Sequence, residues 1–168
     1  MKKNILLSII IVSVSVVLIA AAMVYVVLEQ EKMKNRLYEP RDINDVKIQL
    51  QRGPCLGVCP EYSLIIYGNG TVLYEGLANV NTSGDQRSVI SQDQVRQLLA
   101  AFKTIDYFAL NETEIESQIV YDAPVCTTTL LVNENTKTIR HYESAEPASL
   151  TWLEELIDAT VNSNQWIQ

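Results

Sequence analysis

The chain has 168 residues, 48% of them hydrophobic and 20% charged, with a formal net charge of −7 and a single histidine. That is one domain's length, or slightly less once an anchor is subtracted. All 20 Asp and Glu lie after Leu28, against 11 of the 13 Lys and Arg, so the part beyond Leu28 carries −9. So acidic a body argues against nucleic acid and anionic lipid headgroups as partners and suits solubility.

Met1 to Asn4 forms a short tail with two lysines, and Ile5 to Leu28 is a run of 24 residues without a charge. At about 1.5 Å per residue this run spans roughly 36 Å as a helix, enough to cross a ~30 Å hydrocarbon core. A cleaved signal peptide is the competing reading, because Ala20-Ala21-Ala22 offers small residues to a peptidase. The apolar run continues through Met23 to Leu28, where a secreted product would turn polar, and Tyr25 suits a membrane interface. The expectation is therefore an uncleaved single-pass anchor over residues 5–28. Lys2 and Lys3 favour a cytoplasmic N-terminus, while Lys32, Lys34 and Arg36 just beyond the span pull the other way. The short tail places the C-terminal body on the outer face. Residues 29–44 read as a polar stalk broken by Pro40, with the helix running on as far as about Leu37, and residues 45–168 as one domain.

Val46-Lys47-Ile48-Gln49-Leu50-Gln51 alternates apolar and polar, the pattern of a half-buried strand. Gly53 to Pro60 cannot continue it, since Pro54 and Pro60 lack an N–H donor and two glycines permit positive φ. Tyr62 to Tyr67 and Thr71 to Glu75 are strands around Gly68-Asn69-Gly70, and Asn-Gly is a hairpin signal. With Asn69-Gly70 as a two-residue turn, Ile66 opposes Leu73. Leu64, Ile66 and Leu73 then share one face, and Ile65, Tyr67, Val72 and Tyr74 the other. Both faces are apolar, which predicts a central hairpin. Gln86 to Ile90 reads as another short strand.

Ser91 with Gln94 has capping-box spacing, Ile90 with Val95 has staple spacing, and Val95, Leu98, Leu99, Phe102 and Ile105 recur on one helical face. Tyr107 to Tyr121 is irregular. Cys126 to Val132 and Thr136 to Tyr142 form a second hairpin. With Glu134-Asn135 as its turn, Thr128 opposes His141, and Cys126 lies diagonally from His141. Pro147 suits the first turn of a last helix with Leu150, Leu153, Leu156, Ile157 and Val161 inward and Trp152 and Trp166 at the edges. The order β-ββ-β-α-ββ-α predicts an α+β domain: an antiparallel sheet with two helices, behind the transmembrane helix.

Cys55 and Cys59 are the residues with conspicuous chemistry. Three residues between them, Gly57 at the centre, let the two Cα atoms approach the ~5.5 Å that a disulfide needs. So small a loop would stabilise by less than the usual ~2–4 kcal/mol, and its effect would be local. The alternative is a copper or zinc site, or a thiol-redox centre, using Cys55, Cys59 and also Cys126 and His141. Against a metal, Cys126 shares a strand face with Leu130 and Val132 and reads as a small hydrophobe, and His141 near a strand end reads as a partly exposed surface residue. Cys55-Leu56-Gly57-Val58-Cys59-Pro60 with His141 is similar to membrane-anchored copper chaperones of thioredoxin fold. In that family, however, the cysteines open a helix that activates the thiol. Here a strand comes next.

The stretch Val46 to Gly76 more closely resembles a widespread uncharacterised family, a domain of unknown function. Its hallmark is C-x-G-x-C-P-x-Y leading into a glycine-turned hairpin. The matching residues are Cys55, Gly57, Cys59, Pro60 and Tyr62, then Gly68, Gly70, Tyr74 and Gly76. A helix with Phe102, then Phe108, Tyr121-Asp122-Ala123-Pro124, two strands and a closing helix extend the likeness over about residues 45–166. The resemblance implies the architecture and no activity. Asp122 reads as a turn or strand-start residue accepting backbone N–H bonds. Asn69, Asn81 and Asn111 head glycosylation triplets. No catalytic constellation and no cofactor is expected. The expected function is non-enzymatic binding of a protein or surface ligand.

Overall fold

The computed structural model describes residues 2–143 and 145–168, with side chains described from Ser13 onward. It divides into two units, Met1–Arg36 and Leu37–Gln168. A single helix, α1 (Lys2–Tyr38), makes up the described part of the first. Its stretch Ser13–Tyr38 is long and apolar enough to cross a membrane, a test that a signal sequence also passes.

The second unit is an α+β domain built on one six-stranded antiparallel sheet. Its strands are β1 (Val46–Arg52), β2 (Glu61–Tyr67), β3 (Thr71–Ala78), β4 (Gly84–Val89), β5 (Val125–Val132) and β6 (Asn135–Tyr142), in spatial order β4-β3-β2-β1-β5-β6. The long connection from β4 to β5 carries α2 (Gln92–Thr104) and the short α3 (Glu112–Glu116). α4 (Ala148–Val161) and the single turn α5 (Asn164–Ile167) close the chain.

The period-two pattern of the strands sorts the sheet into a covered and an open face. Val46, Ile48 and Leu50 of β1, Tyr62, Leu64 and Ile66 of β2, and Val72 and Tyr74 of β3 are buried. They form one core with Val95, Leu98, Leu99 and Phe102 of α2 and with Leu150, Leu153, Ile157 and Val161 of α4. Lys47, Gln49, Ile65 and Thr129 on the other face are only half-buried. The predicted capping box opens α2: Gln94 N donates to Ser91 Oγ at 3.2 Å, and Ser91 N donates to Gln94 Oε1 at 2.9 Å. Within this unit Tyr38 is buried, with its ring 5.1 Å from that of Phe108 and its hydroxyl accepting from Phe108 N at 2.8 Å.

Five local expectations are corrected. The β2–β3 loop has three residues, not two: Ile66 pairs with Val72, and Gly70 N donates to Tyr67 O at 2.8 Å. Asn69 Oδ1 accepts from Thr71 N at 2.9 Å, and Gly70 takes φ of 89°. That one-residue change of register moves Val72 and Tyr74 to the face of Leu64 and Ile66 and leaves Leu73 on the open side. The β5–β6 turn is Asn133-Glu134, with Val132 opposite Asn135. Asn133 tolerates the left-handed conformation (φ 56°) and is tied by its side chain to the backbone of Arg41 and Glu39. The pairing shifts by two, so faces are kept but Cys126 lies directly across from His141. His141 is buried, not partly exposed, because α4 places Glu154 against its ring. In α4 itself Leu156 is only partly buried, and Trp166 is buried against the ring of Tyr74.

Candidate functional site

The strand that ends at Arg52 hands over to the proline- and glycine-rich loop 53–60, and Gly53 N donates to Val125 O at 2.7 Å, pinning the loop base to β5. Cys55 and Cys59 are joined as a disulfide with Cα atoms 5.8 Å apart. Gly57 sits at the apex, its N–H donating to Cys55 Sγ at 3.2 Å, and Asn79 Nδ2 donates to Cys59 O at 3.1 Å. The clip turns Leu56 and Val58 outward, each 84% exposed. Beside them the segment before β5 presents Ile119 and Tyr121, and a shallow cleft of about 360 Å³ runs between the two, lined also by Pro54 and Val125. Asp122 occupies a turn there with φ of 65°. Pro60 leads into β2, and Tyr62 points into the core. Gly70 lies at the other end of the β2–β3 hairpin.

A polar cluster lies beneath α4. Strand pairing places Tyr62, Arg52, Cys126 and His141 in one row across β2, β1, β5 and β6. All four point to the helix-covered side. Above them α4 carries Glu154 and Asp158, four residues apart and so on one helical face. Asp158 Oδ2 accepts from Arg52 Nη2 at 2.8 Å and Nε at 3.0 Å, and its Oδ1 accepts from Tyr62 Oη at 2.7 Å. Arg52 Nη1 donates to Glu143. The Glu154 carboxylate faces His141 Nε2 at 2.9 and 3.0 Å and accepts from Thr128 Oγ1 at 2.6 Å. Cys126 Sγ completes the group: donor atoms of Cys126, His141 and Glu154 all lie within 4.8 Å of one another, and all three residues are buried.

Burial governs the electrostatics. It pushes the Cys126 thiol well above its ordinary value, and Glu154 beside it adds to the effect, so Cys126 is held protonated. Burial and then Asp158 raise the Tyr62 phenol. Burial opposes the Arg52 charge, but the Asp158 carboxylate bonded to two of its nitrogens outweighs burial and the guanidinium stays cationic. Removing one partner from a buried, hydrogen-bonded charge pair costs about 3–5 kcal/mol, so these contacts commit α4 to one position.

The four-residue metal set Cys55, Cys59, Cys126 and His141 does not assemble as such. The first two are bonded to each other, while Cys126 and His141 meet Glu154. Cys59-Pro60 runs into β2 and not into a helix, so the feature that activates thiols in the thioredoxin-fold chaperones is missing at this position. Arg52, Glu154 and Asp158 went unread as site residues in the sequence, and Thr128 was read only as the strand partner of His141. Their signal was there in part: Arg52 continues the parity of Val46, Ile48 and Leu50, and Glu154 falls on the stripe of Leu150, Leu153 and Ile157.

No curated protein matches the sequence. Residues 46–161, from the start of β1 to the end of α4, match the family described as Domain of unknown function (DUF6438). That match covers well over half of the chain, both the disulfide loop and the polar row included, and the protein belongs to this DUF6438 family.

Proposed function

We propose that the protein is a membrane-anchored extracytoplasmic domain without catalytic activity of its own, and that it docks a partner protein on the disulfide-loop end of its sheet. The observation that carries this reading is the apolar rim there, where exposed Leu56, Ile119 (67%) and Tyr121 (87%) line one cleft and Val58 stands exposed on the same loop as Leu56. Contiguous exposed apolar side chains mark interaction surfaces. The disulfide holds Leu56 to Val58 in one conformation, which lowers the ordering cost of binding. Asp122 borders the rim, giving a polar edge beside the apolar centre that suits a protein partner, and the −9 body disfavours anionic lipid. A disulfide fits an oxidising compartment, which supports the outer face, and the apolar N-terminal helix supports the anchor.

The test is photo-crosslinking of the full-length chain in its own cells, with the reactive residue placed at Val58 and, as control, at exposed Asn111. A discrete protein adduct at position 58, absent at 111 and lost on Leu56→Asp, is the expected result. Equal labelling at both positions, or lipid adducts alone, refutes docking at this rim. Reproducible substrate turnover by the purified chain refutes the non-enzymatic reading.

A further inference from the structure

Cys126, His141 and Glu154 come from three elements, β5, β6 and α4, and are brought together by folding alone. A thiol, an imidazole and a carboxylate are the three donor types that zinc takes. Their donor atoms lie within 4.8 Å of one another, and the His141 nitrogen is already 2.9–3.0 Å from both carboxylate oxygens. Ligands of a tetrahedral zinc at ~2.0–2.3 Å stand about 3.3–3.7 Å apart, so small side-chain rotations reach that spacing.

A second observation points the same way. His141 Nδ1 is buried and has no hydrogen-bond partner. Nε2 faces the carboxylate, so in either protonation state of the ring one buried polar atom is left over. A purely hydrogen-bonded network would be expected to satisfy both nitrogens, whereas zinc on the nitrogen that faces Glu154 needs a neutral ring with its proton on Nδ1, where a water is the outer partner. Charge balance is also met. One Zn²⁺ with one thiolate, one carboxylate and a neutral imidazole sums to zero, the condition under which an ion can be buried without a further counter-charge.

From these observations we propose that Cys126 Sγ, a ring nitrogen of His141 and the Glu154 carboxylate hold a structural zinc ion that ties α4 to the β5–β6 hairpin. The mixed sulfur, nitrogen and oxygen set favours zinc over Cu(I), which selects sulfur, and over magnesium or calcium, which select oxygen. Binding releases the Cys126 thiol proton to solvent, together with the imidazolium proton wherever the ring is charged. Three protein ligands leave the fourth tetrahedral position to a water molecule, and because all three residues are buried zinc enters as the domain folds. The proposal is independent of the docking rim, which lies outside this cluster.

The test uses full-length protein in detergent, expressed with added zinc and purified in metal-free buffer without chelator. Its readouts are zinc per chain by elemental analysis and the visible and near-ultraviolet spectrum after expression with cobalt. The wild type is expected to carry one zinc per chain and, with cobalt, a sulfur-to-cobalt charge-transfer band. Cys126→Ala keeps a small apolar group in place and should lose the band and about tenfold or more of the metal. Glu154→Gln, which keeps the shape and the Thr128 hydrogen bond, should lose metal while still folding by circular dichroism. Metal-free wild-type protein overturns the proposal, as does zinc retained undiminished by Cys126→Ala, which would mark a surface ion.

Discussion

Asp158 holds Arg52 through two nitrogens and takes the Tyr62 hydroxyl on its other oxygen, with the Arg52 and Asp158 side chains only 13% and 17% exposed. Asp158→Ala therefore leaves Arg52 with Glu143 as its remaining carboxylate and the Tyr62 hydroxyl without its acceptor. A loss of about 2–4 kcal/mol in urea unfolding is expected, somewhat below the value for a fully buried pair. Tyr62 makes the same contact pH-dependent. Its phenol is raised in the folded protein by burial and then by Asp158, against about 10 when unfolded. The folded state binds that proton more tightly. The stabilisation is therefore complete below pH ~10 and declines as pH rises past it. Tyr62→Phe should shrink the drop in stability between about pH 8 and about pH 11, with a residual slope from Cys126 and Tyr107, which burial also raises. A variant with an unchanged slope would show that Tyr62 titrates as it does in the open chain. None of this was legible in the sequence, although Arg52 has the parity of the core face. A charge at a strand end reads as solvated until it is known which helix lies over it, and that is decided by tertiary packing.

At the scale of elements the sequence carried more. Alternation placed β1, the capping box placed α2, and the glycine and asparagine turns placed both hairpins, because each of these signals is local. The registers were not local. The β2–β3 turn is set partly by what it touches: a Cβ on Gly70 would lie 2.1 Å from Ile90 O, and Ile90 N donates to Gly70 O at 2.9 Å. Gly70→Ala thus meets a backbone clash as well as an unfavourable φ, whereas Gly84 has φ of 78° with open space around it. Gly84→Ala should cost about 1 kcal/mol and Gly70→Ala clearly more, upwards of about 2 kcal/mol, in thermal or urea unfolding. Equal costs would mean that the Ile90 contact yields freely. The disulfide acts at the same scale. Its ring is short, so Cys55→Ser with Cys59→Ser should lower global stability by less than about 2 kcal/mol, while limited proteolysis within 53–60 speeds up.

For the whole molecule three features bear together on the compartment that holds the acidic domain. The N-terminal helix is apolar enough to span a bilayer, Cys55 and Cys59 are oxidised to each other, and basic residues flank the apolar run on both sides. The flanking charges nearly cancel as an orientation signal, and the half-buried Cys55–Cys59 pair is what supports the proposed outer face, since disulfides persist in oxidising compartments. A cysteine placed at exposed Asn111 should then react with a membrane-impermeant maleimide in intact cells, without lysis. In the same cells the chain should resist alkaline extraction from membranes and keep its full 18.9 kDa. Cleavage near Ala20-Ala21-Ala22 would instead give a lighter, extractable chain that is still labelled, which would convert the anchor into a signal sequence while preserving the outer location. Labelling only after lysis, with Cys55 and Cys59 reacting as free thiols, would reverse the orientation and with it the docking proposal, because the clip that rigidifies Leu56 and Val58 would then be open.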